Sequence, residues 1–170
     1  MTFQPFAALL LCLASGAALA QQAAPSPDLP SHAVPATEQR SELWLASGFA
    51  TYHFQSDLDL NGKNPGIGLE YKFYETASVT AGRFYNSDRQ HSRYLGVLYQ
   101  PWTVGPVRLG AVLAAFDGYP KMRDGGWFLA PVPAATFEYK KVGINVAVVP
   151  TYKNRLHGGI SVQLKLKLWD

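Results

Sequence analysis

From Glu42 onward apolar and polar residues alternate with period two, the signature of strands whose two faces meet different surroundings. In the last such segment Ile160, Val162, Leu164, Leu166 and Leu168 share one face, and Ser161, Gln163, Lys165 and Lys167 share the other. The segment before it sets Val142, Ile144, Val146 and Val148 against Gly143, Asn145 and Ala147. Further upstream, Ile67, Leu69, Tyr71 and Phe73 oppose Gly66, Gly68, Glu70 and Lys72. The alternation predicts eight strands, at about 43–54, 66–74, 77–86, 93–102, 106–117, 127–139, 142–150 and 159–169. Each has about the 9–11 residues that a tilted strand needs to cross a bilayer. Tight connections around Glu75-Thr76, Thr103 to Gly105 and Lys140-Lys141 alternate with longer polar ones at 55–65, 87–92, 118–126 and 151–158. Short turns at one end and long loops at the other predict an all-β, eight-stranded, antiparallel up-and-down transmembrane β-barrel.

Period two alone does not say which face is inside. Three features favour apolar-out. The polar face is rich in Gly, Ser and Asn, which fits the narrow interior of an eight-stranded barrel. Charged residues make up 16 % of the chain, a thin supply for the surface of a water-soluble barrel. Trp44, Tyr74, Trp102, Trp127 and Trp169 fall near strand ends, as an interfacial aromatic girdle would. Closure also pairs the backbone polar groups that lipid cannot solvate.

Before the barrel, residues 1–20 carry the apolar run "FAALLLCLASGAA" and a small-residue "ALA" ending, and are read as a signal peptide. Cys12, the sole cysteine, lies inside that run, so the exported chain has no disulfide. Residues 21–41, with Pro25, Pro27, Pro30 and Pro35, are read as a periplasmic tether, and 42–170 as the barrel. These assignments place the protein in the outer membrane of a Gram-negative cell. The net charge of +3 suits an anionic surface and names no partner by itself.

The stretch "HFQSDLDLNG", residues 53–62, invites a calcium reading, because Asp57, Asp59, Asn61 and Gly62 match the first half of an EF-hand loop. The bidentate acid such a loop requires would fall at Gly68, and the flanks are strands rather than helices. His91 and His157 lie too far apart in the loops to suggest a metal site. No metal and no cofactor are expected.

"FATYHF", "NPGIGLEY", "RFYNSDRQ" and "LAPVPAATFEYKKVGINVAVVP" follow one another in an order that resembles the outer-membrane lipid A palmitoyltransferases, the PagP family, over roughly residues 43–170. The resemblance implies transfer of a palmitoyl-type chain from a glycerophospholipid to lipid A in the outer leaflet. It implies functional roles for His53 and Ser87, with Asn86 where the family carries an aspartate. The family's N-terminal amphipathic helix has no counterpart, and the Pro-rich segment stands in its place. It also implies that Pro131, Pro133 and Pro150 open a lateral gate for acyl chains. At a barrel rim the same prolines also fit bulges.

The residue chemistry is compatible with that reading. Acyl transfer needs a base working near neutral pH and a hydroxyl nucleophile or acceptor, which His53 and Ser87 can supply. Asn86 can donate to an oxyanion or orient the imidazole, and Asp57, Asp59 and Asp88 are candidates for balancing an imidazolium. On this view Asn86→Asp should be tolerated. A histidine at a strand end also fits a rim residue, and a serine before an aspartate also fits a turn. Arg89, Arg93, Lys121, Arg123, Lys153 and Arg155 collect in the loops and suit the phosphates of lipid A, or simply a solvated surface. The expected partners are phospholipid and lipid A, with no nucleic acid, and the barrel is expected to be a monomer. Two alternatives stand: a non-enzymatic small outer-membrane barrel, and a lipid A deacylase using His157 and Ser161. Eight strands leave too narrow a lumen for a general porin.

Overall fold

The computed structural model describes residues 39–153 and 155–169, which are mostly strand. Eight strands follow in chain order: β1 (Gln39–His53), β2 (Lys63–Tyr74), β3 (Ala77–Tyr85), β4 (His91–Val104), β5 (Val107–Phe116), β6 (Phe128–Tyr139), β7 (Val142–Val149) and β8 (Gly159–Trp169). Each pairs antiparallel with its neighbours, and β1 pairs with β8 to close the barrel. The predicted strands match in number, order and approximate extent. β1 begins at Gln39, inside the segment read as the end of the tether, where Arg40 ion-pairs with Glu75. The signal peptide and the rest of the tether lie outside the described residues.

The hairpins β2–β3, β4–β5 and β6–β7 define a turn end. Gly105 and Lys140 take positive φ there, as tight reversals require. The loops 54–62, 86–90, 117–127 and 150–158 define the opposite, loop end. The third of these holds one 3-10 turn, Arg123–Gly125.

The apolar face points outward. Leu129, Leu95 and Leu164 are 69 %, 60 % and 59 % exposed, and Ile67, Leu69, Val97, Leu113, Ile144 and Leu166 join them in a belt around the wall. Contiguous apolar surface on that scale is not tolerated in water by a monomer. A hydrocarbon surround removes the conflict, and the closed ladder leaves few backbone groups unpaired within it. Tyr74, Trp102, Trp127 and Trp169 are exposed at the ends of this belt, as a girdle requires.

Trp44 departs from that expectation: it is 0 % exposed and lies in the lumen. The reason is parity. Trp44 alternates with Leu43 and Leu45, which line up with the outer face, and shares its side of β1 with Glu42 and Ala46. Proximity to a strand end was a weaker guide than position within the alternation.

The lumen divides along its length. Its turn-end half is filled by charge. Lys165 bridges Glu70 at 2.8 Å and Glu138 at 2.7 Å, Lys167 holds Glu42 at 2.9 Å, and Lys72 ion-pairs with both Glu42 and Glu138. Arg108 joins Glu138 to Glu75. Trp44 stands among Lys72, Lys165 and Lys167, each within cation–π range of its ring, and its Nε1 donates to Glu42. This interlocked layer closes the barrel. The loop-end half is apolar and partly empty.

Candidate functional site

The apolar half of the lumen is a chamber with an open mouth. Phe84, Tyr94, Leu98, Phe116, Phe128 and Val132 form much of its wall, with Ala114, Ala130 and Ala147 leaving room between them. From Phe128 to Ala134 the wall runs roughly 20 Å along β6, before tilt is allowed for. That is the scale of a fatty-acyl tail rather than of an acetyl group. Tyr94 sits near the floor, where its hydroxyl meets Gln163 at 3.4 Å. Gly68 and Gly82 are register partners, and a Cβ at Gly68 would fall 2.1 Å from the Tyr94 hydroxyl, so these glycines give the ring its place. Below Tyr94 the charged layer begins with Glu70 and Asn145.

His53 and Ser87 both line the chamber near its mouth. They come from β1 and from the loop after β3, and β2 lies between those strands. Asn61, in the loop joining β1 to β2, connects them. Its backbone N–H donates to the Ser87 carbonyl at 3.0 Å, and its own carbonyl accepts from His53 Nε2 at 3.3 Å. A carbonyl can only accept, so this contact places a hydrogen on Nε2, and in the neutral ring Nδ1 is then the lone-pair nitrogen. Nδ1 is buried and has no hydrogen-bond partner among the described residues. Beside it Thr51 donates to Asn64 Oδ1 at 2.8 Å and shares a 2.7 Å hydrogen bond with Ser161.

Asn86 is fully buried but does not line the chamber. Its Oδ1 accepts from the N–H groups of Asp88 and Gln90, both at 2.9 Å. Its Nδ2 donates to Ser92 Oγ at 2.8 Å and to the Gly118 carbonyl at 2.7 Å. All four bonds are used in shaping one loop and tying it to the next. An aspartate would turn the contact with Gly118 into an oxygen facing an oxygen, so the expectation that Asn86→Asp is tolerated does not fit this environment.

Of the three candidate acids, Asp88 lines the chamber. Asp59 is exposed and paired with Arg89, and Asp57 is exposed in the same loop. Tyr119 is another lining residue, and burial with the nearby Asp88 carboxylate pushes its phenol well above its ordinary value. Arg155 and His157 also reach the lining.

The other cations expected in the loops are dispersed, and Arg93 lies on β4 rather than in a loop. Arg93 is held by Asp117 and lies over the Trp127 ring, and Lys153 lies over Tyr152. Lys121 and Arg123 are exposed in the loop between β5 and β6.

The prolines mark an interruption in the wall. The β6–β7 ladder runs from Tyr139↔Val142 to Ala134↔Ala147 and stops. β6 continues to Phe128 against β5, and β7 continues to Val149 against β8. Pro131 and Pro133 fall within the unpaired stretch of β6, where they have no N–H to offer β7, and Pro150 follows β7 directly. The result is a seam between β6 and β7, at the level of the chamber.

Several parts of this site were not found by reading the sequence: Asn61 as the link, Tyr119 in the lining, and the chamber itself. One signal was present. Along a single face of β6, Phe128, Ala130 and Val132 give way to Thr136 and Glu138.

No protein-family model and no curated protein matches this chain. Solved structures do. One, described as "De novo design of transmembrane beta-barrels", aligns with a TM-score of 0.53 at 10 % identity, covering 78 % of this chain and 100 % of that one. Another, the solution NMR structure of the de novo designed TMB2.3, aligns with a TM-score of 0.50 at 17 % identity, covering 79 % and 98 %. These likenesses establish the fold: a small closed β-barrel, similar to those designed transmembrane barrels.

Proposed function

We propose that this barrel is an outer-membrane acyltransferase that moves a palmitoyl-type chain from a glycerophospholipid to lipid A. The observation that carries the proposal is the divided lumen: an apolar chamber of acyl dimensions, open at the end where His53 and Ser87 sit and closed at the other by the charge layer. A general pore would not be blocked in this way. A purely structural barrel has no need of an empty apolar chamber beneath a histidine with an unpartnered nitrogen. The resemblance to the lipid A palmitoyltransferases, which also falls on His53 and Ser87, points the same way.

In this reading the donor's acyl tail enters through the β6–β7 seam beside Pro131 and Pro133 and lies in the chamber. That places its ester at the mouth. His53 Nδ1 takes the proton of the acceptor hydroxyl as that oxygen attacks the ester carbonyl. The bond from carbonyl carbon to glycerol oxygen breaks, and the proton passes to the departing lysophospholipid. The Ser87 hydroxyl holds the carbonyl oxygen or carries the acyl group between two such steps. Asp88 supplies negative charge near the imidazolium, and Asn86 keeps the two loops in place. Arg89, Lys121, Arg123, Lys153 and Arg155 face the phosphate-rich surface of the outer leaflet.

The deacylase alternative would use His157 and Ser161, which also line the chamber, but the Ser161 hydroxyl is already engaged with Thr51. Mass spectrometry of lipid A from cells with and without the protein separates the readings. Addition of a palmitoyl-type chain supports the proposal and loss of an acyl chain supports deacylation. Unchanged lipid A supports a non-enzymatic barrel.

A further inference from the structure

Away from the chamber, the outer wall carries a charge arrangement that the barrel itself does not neutralise. Arg83 on β3 and Arg93 on β4 are direct register partners, and both point outward. Like charges directly opposite on one face of a sheet are unfavourable unless something answers them. Among the described residues, Asp117 is the carboxylate that pairs at this spot. It is committed to Arg93, accepting from its backbone N–H at 2.6 Å, its Nε at 2.7 Å and its Nη2 at 2.6 Å. Trp127 lies 5.2 Å from the guanidinium of Arg93 and fixes it from the side. Arg83 has no carboxylate within ion-pairing range among the described residues.

The position matters as much as the charge. One step toward the turn end on the same face come Leu69, Ala81 and Leu95, with Leu129 across β5, all part of the apolar belt. Trp127, exposed just above Leu129, is the kind of side chain that sits at the level of lipid headgroups. The two guanidiniums therefore lie at the boundary between hydrocarbon and headgroup, facing sideways into the leaflet rather than up into water.

We infer that Arg83 and Arg93 form a binding site on the β3–β4 flank for the phosphate headgroup of an anionic lipid lying alongside the barrel. The lipid's tails would lie against Leu69, Leu95 and Leu129. Asp117 and Trp127 hold Arg93 in place, and Arg83 supplies the uncompensated charge. A guanidinium's fork of N–H donors matches phosphate oxygens, and the apolar belt excludes competing water from one side. The inference rests on the membrane-spanning architecture and not on acyl transfer, so the two readings fail separately.

The test uses the full chain folded in detergent micelles, with lipid retention read by native mass spectrometry. The probes are phosphatidic acid, phosphatidylcholine with the same tails, and inorganic phosphate as competitor. The wild-type protein is expected to retain phosphatidic acid in preference to phosphatidylcholine. Arg83→Gln should lower that retention by about fivefold, and adding Arg93→Gln should lower it by about fivefold again. Arg83→Gln breaks no ion pair and should leave the barrel folded, which a gel-mobility shift on heating verifies. Lys141→Gln, exposed in the β6–β7 turn at the opposite end of the barrel, should leave retention unchanged. Equal retention of both lipids, or undiminished retention by Arg83→Gln, would overturn the site. Displacement by inorganic phosphate at matching concentration would mean a free-ion site and would overturn the lipid assignment.

Discussion

The two halves of the lumen are built by the same eight strands and do opposite things. In the turn-end half the buried charges are paired: Glu42, Glu70 and Glu138 are threaded by Lys72, Lys165, Lys167 and Arg108, with Trp44 wedged among the ammonium groups. In the loop-end half, aromatic rings and alanines surround space, and the polar groups gather at the mouth. One half spends its side chains on closure and the other leaves room. The difference separates what keeps the barrel shut from what lets it act, and substitutions in the two halves should therefore fail in different ways.

The largest effect is expected at the mouth. His53→Ala should lower acyl transfer on the order of 10²–10⁴-fold, the usual share of a general base. Its effect on unfolding should be small, because His53 contributes a single long hydrogen bond to Asn61. Lipid mass spectrometry and denaturant unfolding on the same preparation give both numbers. Glu138→Ala should show the reverse. Removing the carboxylate that three cations share leaves buried charge unanswered and should cost about 3–5 kcal/mol, read by unfolding in lipid vesicles, with transfer per folded molecule nearly unchanged.

Asn86→Asp should fall between these. Loss of the donated bonds to Ser92 and Gly118 should cost about 1–3 kcal/mol, and transfer should fall with it as the two loops loosen. Retained stability in that variant would mean the loops at the mouth are less interlocked than the geometry indicates. The mildest change is expected from Ala130→Leu, which fills part of the chamber without touching the mouth or the charge layer. Its signature should be a shift toward shorter transferred chains at little cost in overall rate, read from the acyl profile of the product.

Much of the barrel was legible in the chain because a strand's alternation is local. The run from Ile160 to Leu168 states its own outer face, and the lengths of the connections state the up-and-down order. The lumen was harder to read. On β4 the inward residues are Ser92, Tyr94, Gly96, Leu98 and Gln100, so one face mixes polar and apolar residues and its average conceals the division into halves. Trp44 was misread because its nearness to a strand end outweighed its parity with Glu42 and Ala46. Asn86 resembled a catalytic substitution because the neighbouring serine matched a motif. Its structural work is visible only once Gly118, from a distant loop, is in place. Asn61 drew notice only as part of the EF-hand-like pattern, since what it contributes to His53 and Ser87 comes from its backbone.

The central claim is that the loop-end half of the lumen holds an acyl chain. A phospholipid carrying a photoreactive diazirine at the tip of one tail tests it directly, with the protein reconstituted in vesicles and the labelled peptides mapped after irradiation. Label on inward residues near the chamber floor, such as Leu98 and Val132, is the expected result. Label confined to outward residues such as Leu129 and Leu164 would contradict it.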